Sequence, residues 1–160
     1  MKKIVFILLL LFCLSVTACS STPNMNELLS YQKDGAVFDV RIADGSQFPA
    51  RVTLGERDSI ELSDGEMENI RFLFDEDGAS LSYGDTVMPL PDTALVKAKT
   101  WIDLFRLPTS GLWHIKRETL GSTEVFVCAC DDVTLYIDAA TRLPLQIARG
   151  ECVIYIDGAS

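Results

Sequence analysis

The sequence predicts an α+β fold that is mainly β, a strongly curved antiparallel sheet covered by helices. Three observations predict it. From about residue 36 to residue 89 apolar and polar residues alternate, the period-two mark of strands with one dry face and one wet face. Between residues 90 and 107 the spacing lengthens to that of a helix. Strand-like runs separated by turn residues then continue to the end of the chain. An early meander, a helical insertion and a closing meander make a sheet with a helix laid on it.

The chain opens with an address. Lys2 and Lys3 precede an unbroken apolar run from Ile4 to Leu14, followed by small residues. That order is the layout of a secretory signal peptide over residues 1–18. The run is too short to cross a hydrocarbon core that needs about 20 residues. Ser20 to Asn24 reads as a polar tether, and residues 25–160 form the domain. With the signal removed about 140 residues remain, enough for one sizeable core and too few for two.

In the domain, Met25-Asn26-Glu27-Leu28-Leu29-Ser30-Tyr31 predicts a short amphipathic helix capped by Asn24 or Asn26. Phe38, Val40 and Ile42 then alternate with Asp39 and Arg41. After the turn at Ala43-Asp44-Gly45-Ser46, Phe48, Ala50, Val52 and Leu54 form a second dry face. Pro49 has no N–H to give a ladder, so this strand is expected at an edge or with a bulge. Ile60 and Leu62 lead through an Asp64-Gly65 hairpin to Ile70, Phe72 and Phe74. Asp75-Glu76-Asp77-Gly78 turns the chain again, and Leu81 and Tyr83 continue the meander. That acidic turn is not a calcium loop, because the closing Glu of such a loop would fall on Thr86.

Leu95, Ala98, Ile102 and Phe105 form one helical stripe, widened by Trp101 and Leu104. Asp92 stands at its N-cap, Arg106 in its last turn, and Pro108 stops it. Strands resume at Trp113 to Arg117. Val125-Phe126-Val127-Cys128-Ala129-Cys130 is apolar on both faces, which predicts a central strand covered on both sides. Val133 to Ile137, Leu143 to Ile147 and Val153 to Ile156 complete the set.

The net charge is −9, and it falls by two to −11 once Lys2 and Lys3 leave with the signal. Such a balance argues against nucleic acid and against electrostatic docking on anionic lipid. Cys128, Cys130 and Cys152 remain beyond the signal and its junction. Cys128 or Cys130 bridged to Cys152, with Cys130–Cys152 as the candidate disulfide, closes a loop of roughly 20–25 residues worth about 3 kcal/mol. The other reading is three small buried thiols. The single histidine, His114, has no spacing relation to them that would make a metal site, and no cofactor is implied.

Val16-Thr17-Ala18-Cys19 resembles the lipobox of bacterial lipoproteins. The resemblance implies that Cys19 carries a diacylglycerol, becomes the first residue after cleavage, and anchors an exported chain to a membrane. Ordinary signal cleavage after Ala18 is the alternative. Two or more acyl chains hold a protein stably where one does not.

A second resemblance lies in the domain. Leu135-Tyr136-Ile137-Asp138, then Thr141-Arg142-Leu143-Pro144-Leu145-Gln146-Ile147, resembles the closing hairpin of LolA-like and LolB-like lipoprotein-handling domains. Arg142 stands where Gly is common there, which leaves the turn geometry open. Leu28-Leu29-Ser30-Tyr31 running into Phe38-Asp39-Val40-Arg41-Ile42 resembles that family's first helix and strand. The resemblance implies an unclosed half-barrel with a helix lid, holding an acyl chain of a lipid or lipoprotein. Residues expected to line it are Phe38, Val40, Phe48, Val52, Ile70 and Phe72 from the sheet, with Trp101, Ile102 and Phe105 from the helix. The competing reading is that they only pack against one another.

Two other function classes are weighed. The acidic turns Asp75-Glu76-Asp77 and Asp131-Asp132 fit an interaction module that binds another envelope protein and holds no lipid, although solvated turns explain them as well. An enzyme is disfavoured. Gly-x-Ser-x-Gly and His-Glu-x-x-His are absent from the sequence. His114 reads as a wet strand residue, and the pair Glu66 and Glu68 has no apolar pocket to separate the two acidities.

Overall fold

A computed structural model describes residues 22–63, 69–76, 78–91 and 96–160. The signal segment, Cys19, the Asp64-Gly65 hairpin with Glu66 and Glu68, Asp77, and the expected cap Asp92 with Leu95 lie outside the described residues. The strands are β1 (Val37–Asp44), β2 (Ser46–Thr53), β3 (Asp58–Leu62), β4 (Ile70–Asp75), β5 (Gly78–Tyr83) and β6 (Thr86–Leu90). After the helical segment come β7 (His114–Leu120), β8 (Thr123–Cys130), β9 (Val133–Asp138), β10 (Pro144–Arg149) and β11 (Cys152–Ala159). The helices among the described residues are α1 (Met25–Leu28) and α2 (Val96–Asp103).

All eleven strands form one antiparallel sheet in the order β6-β5-β4-β3-β2-β1-β11-β10-β9-β8-β7. The fold is mainly β, as expected, and the sheet is not closed into a barrel. The chain starts at the middle of the sheet, meanders to one edge, crosses by way of α2 to the other edge, and meanders back. The seam is β1 on β11, where Val37 and Ser160 exchange hydrogen bonds of 3.0 and 2.9 Å.

The alternation read in the sequence sorts the two faces of the sheet. Phe38, Val40, Ile42, Phe48, Ala50, Val52, Ile60 and Leu62 are buried on the inner face with the core. On the outer face Asp39, Arg51, Glu61 and Arg71 stand opposite one another across four strands. Ion pairs Arg51–Asp39 at 2.8 Å and Arg71–Glu61 at 2.7 Å tie the row. Exposed pairs of this kind contribute little stability each, but they fix which face is wet.

Two placements differ from expectation. β2 is neither an edge nor bulged at Pro49, since it pairs with both β1 and β3 and Arg41 faces Pro49 in continuous register. The Pro49 carbonyl accepts from Ser63 N at 3.1 Å, so its ring nitrogen also faces β3. That strand ends at Leu62, and the lost donor falls at the close of the ladder. β8 is second from an edge and not central. Its outward residues Val125 and Val127 are buried nonetheless. Their cross-strand neighbours are Glu118 and Asp138 beside Val125, and the long Lys116 and Tyr136 beside Val127. Side chains such as Lys116 and Tyr136 lay their apolar stems over a small neighbour and keep their polar tips in water.

α1 is one turn long. Asn24 is its N-cap and accepts from Glu27 N at 3.0 Å, while Met25 and Leu28 face the core. Pro23 is already buried, so the packed domain begins inside the stretch read as tether.

Candidate functional site

The site is built where α2 rests on the inner face. Ala98, Trp101, Ile102, Leu104 and Phe105 are all buried, as the helical stripe requires. Phe105 packs on Phe38 with ring centroids 5.4 Å apart, and Trp101 packs on Phe48 at 5.3 Å. Polar contacts fix both ends of the helix. Near its start Lys97 pairs with Asp44 at 3.2 Å, and the Trp101 indole N–H, one turn on, donates to the same carboxylate at 3.0 Å.

Past its end, the Arg106 guanidinium donates to both oxygens of Asp58, at 3.0 and 2.7 Å. It also reaches Asp34 at 3.3 Å and the carbonyls of Gln32 and Gly55 at 3.3 and 3.2 Å. The hydrogen bonds to Asp58 raise the Arg106 pKa further above its ordinary value. α2 therefore runs from the β1–β2 hairpin towards the opposite end of the strands, held by an aspartate at each end.

The cover is uneven. One inner-face row crosses six strands as Phe38, Val52, Ile60, Phe72, Leu81 and Met88. Phe38, Val52 and Ile60 are fully buried, Phe72 and Leu81 are half-buried, and Met88 is 48 % exposed. The transition falls at β4. There a cleft of about 300 Å³ is lined by Ile102 and Phe74 together with Glu56, Asp58, Asp75, Glu76, Lys99, Asp103 and Arg106. Its two apolar residues, Phe74 and Ile102, sit among charged ones, most of them acidic.

Of the residues expected to line a cavity, Phe38, Val40, Phe48, Val52, Trp101, Ile102 and Phe105 are buried in the core, several in direct aromatic contact. Ile70 and Phe72 sit at its margin, half-buried. Ile102 also reaches the cleft. Sequence reasoning passed over Phe74 as a cleft residue, Leu81 and Met88 as members of the inner-face row, and Asp44, Asp58 and Arg106 as fasteners. Arg106 and Asp58 lie 48 residues apart, and no local pattern joins them.

The expected Cys130–Cys152 bridge is corrected. Cys128, Cys130 and Cys152 are all free thiols. Cys130 pairs with Val133, Val133 with Arg149, and Arg149 with Cys152, so the two cysteines stand three strands apart. At about 4.8 Å per strand that is roughly 14 Å, twice the reach of a disulfide. The alternative partner, Cys128, is three strands from Cys152 as well. Burial pushes the Cys128 thiol up to about 11 and raises that of Cys152. In the folded protein a maleimide at neutral pH is therefore expected to modify half-exposed Cys130 well before the other two. Peptide mass mapping before and after denaturation checks the order. His114 is exposed on the edge strand β7, the wet position its sequence context implied.

No family model matches the chain, and no curated protein does. Among solved structures, the fold is similar to that of an uncharacterized conserved protein from Thermus thermophilus. The TM-score is 0.56 at 12% identity, over 85% of this chain and 83% of that one. A likeness at that identity shows a shared architecture.

Proposed function

We propose that this chain is a membrane-anchored cell-envelope lipoprotein, exported and held by acyl chains on Cys19. Its LolA/LolB-like domain acts as a non-catalytic binder of a lipid, acyl chain or other amphiphile. The observation that carries this reading is the inner-face row that leaves the cover of α2 at β4 and ends half-exposed at Met88. An inner-face apolar row left partly uncovered offers an acyl chain a surface to bury.

A half-barrel with a helix lid is supported by the open sheet and by the packing on its inner face: Phe105 lies on Phe38, Trp101 on Phe48, and Tyr31 packs edge-on against Phe38 with centroids 5.9 Å apart.

The reading makes two demands. Cys19→Ala should release the domain, folded, into the exported soluble fraction; a variant that stayed with the membrane would remove the anchor from the proposal. The released protein should take up a fluorescent fatty-acid probe or carry amphiphile in native mass spectra, and Leu81→Asp should abolish uptake. Protein that binds no amphiphile and instead recovers a stoichiometric envelope protein would favour the interaction-module reading. The exposed outer strand β6, with Val87 and Met88, is the surface such a partner would use.

A further inference from the structure

The open sheet leaves two edges, and they are built differently. Both edge strands belong to hairpins with two-residue turns, Gly84-Asp85 after Tyr83 and Gly121-Ser122 after Leu120. In such a hairpin the residues flanking the turn exchange hydrogen bonds, and every second pair beyond them does the same. On β6, Thr86, Met88 and Leu90 therefore turn their backbone groups to β5, while Val87 and Pro89 turn theirs outward. Pro89 has no N–H, so Val87 is the one outward donor of that strand and the edge is blunted. On β7, His114, Lys116, Glu118 and Leu120 bond to β8. Ile115, Arg117 and Thr119 then present an unbroken outward ladder of N–H and C=O groups. Among the described residues no strand pairs with that side of β7, and neither a bulge nor a proline interrupts it.

Charge commonly guards such an edge, and β7 carries Lys116, Arg117 and Glu118. Their order rejects most pairings and admits one. An antiparallel partner must set its own outward residues against Ile115, Arg117 and Thr119. Let that partner be a second copy of β7, with Arg117 on the two-fold axis. All 7 residues of the strand then pair. Lys116 stands opposite Glu118 of the second copy, and Glu118 opposite its Lys116, both pairs on the outer face. A slip of two residues, the smallest that keeps the outward groups together, sets Lys116 against Lys116 or Glu118 against Glu118. Opposite charges across a ladder stabilise it and like charges destabilise it. Arg117 meets its own copy on the axis, but each guanidinium is drawn back to Glu124 of its own β8. The same register carries Leu120 towards Leu112 of the second copy, residues 50% and 87% exposed in the single chain. β7 bears two cations and one anion in a chain of net charge −9, so copies meet there without setting acid against acid.

We propose that β7 is a self-recognition edge: it pairs antiparallel with β7 of a second copy about a two-fold axis at Arg117, making one continuous sheet across a dimer. An interface of one strand pair is small, so the dimer forms reversibly with concentration. It lies on the opposite edge of the sheet from the half-covered row on β4 to β6, which stays open in both copies. The inference therefore goes beyond amphiphile binding and does not depend on it.

Sedimentation equilibrium of the full chain in a density-matched mild detergent reads the protein mass, whether or not residues 1–18 are removed and Cys19 is acylated. The mass should rise from monomer to dimer with concentration. Lys116→Glu and Glu118→Lys should each weaken the dimer about tenfold, since each turns two attractive pairs into repulsive ones. Neither should lower the melting temperature, because both side chains are exposed. Mixed in equal amounts, the two variants should dimerise with each other, and both changes in one chain should restore self-association. A chain that stays monomeric at its highest soluble concentration would overturn the inference. So would a dimer that neither variant weakens, single variants that mixing does not rescue, or a monomer whose β7 takes up a strand of a different protein. None of these results bears on fatty-acid uptake.

Discussion

Replacing Phe105 by Ala is expected to cost about 4 kcal/mol, the largest single effect in the domain. The ring is wholly buried between α2 and the sheet, against Phe38. Truncating a buried Phe loses its transfer free energy and leaves a cavity, together about 3–5 kcal/mol. That is a large share of the ~5–15 kcal/mol that holds a domain folded. Urea denaturation followed by tryptophan fluorescence reads the cost from the shift in midpoint at constant slope. Met88→Ala, at the exposed end of the inner-face row, should cost well under 1 kcal/mol. The contrast between the two tests the uneven cover directly. A cost below about 1 kcal/mol at Phe105 would mean that α2 is not packed on the centre of the sheet.

Arg106→Ala should rank second, at about 2–3 kcal/mol. The mutation removes five hydrogen bonds that join the end of α2 to Asp58, Asp34 and the carbonyls of Gln32 and Gly55. It strands Asp58, whose side chain is only 15% exposed, with the Gly55 amide at 2.9 Å as its remaining hydrogen-bond donor. Breaking a buried pair by removing one partner costs about 3–5 kcal/mol; a third of the Arg106 side chain is exposed, which brings the expectation down. Arg106→Lys should recover about half, because an ammonium restores the charge and not the fork to both Asp58 oxygens. Hydrogen exchange should then rise first in α2 and the Gly55 turn. Uniform loss of protection across the sheet would show that Arg106 does not act as a local fastener.

Most strands were legible because a buried face imposes period two on a chain whatever its neighbours are. Phe38, Val40 and Ile42, or Ile60 and Leu62, announce an inner face without any knowledge of what covers it. α2 was legible for the matching reason at a period near 3.6, and its aromatic residues do lie on the sheet. Strand neighbours were less legible. Pro49 was read as an edge signal, yet its missing donor falls where β3 has ended, a fact of register and not of composition. The apolar run of β8 was read as central, yet long residues from β7 and β9 flank its outer valines. β6 was not separated from the meander before it, since an exposed edge strand buries no face and so shows no alternation.

The candidate site was legible in part, for the same reason. The sequence marked the apolar residues that face the core, but burial pattern alone does not separate a packed centre from an uncovered flank. Phe38 and Phe72 look alike in sequence and sit in one row, and only the placement of α2 over β1 to β3 divides them. The cysteines make the point with distance. Cys130 and Cys152 are close enough in sequence for a favourable loop, while strand order sets them roughly 14 Å apart.

By itself, then, the sequence determined the elements and their faces, the acidic balance of the chain and the lipobox-like stretch at Cys19. These are local properties, set by spacing along the chain and by which residue types tolerate water. Only the tertiary structure decided the strand order, the seam of β1 on β11, the fasteners Asp44 and Arg106, and the flank that α2 leaves half-covered. Those rest on contacts between residues dozens of positions apart, whose free energy depends on a geometry that no stretch of the chain carries alone.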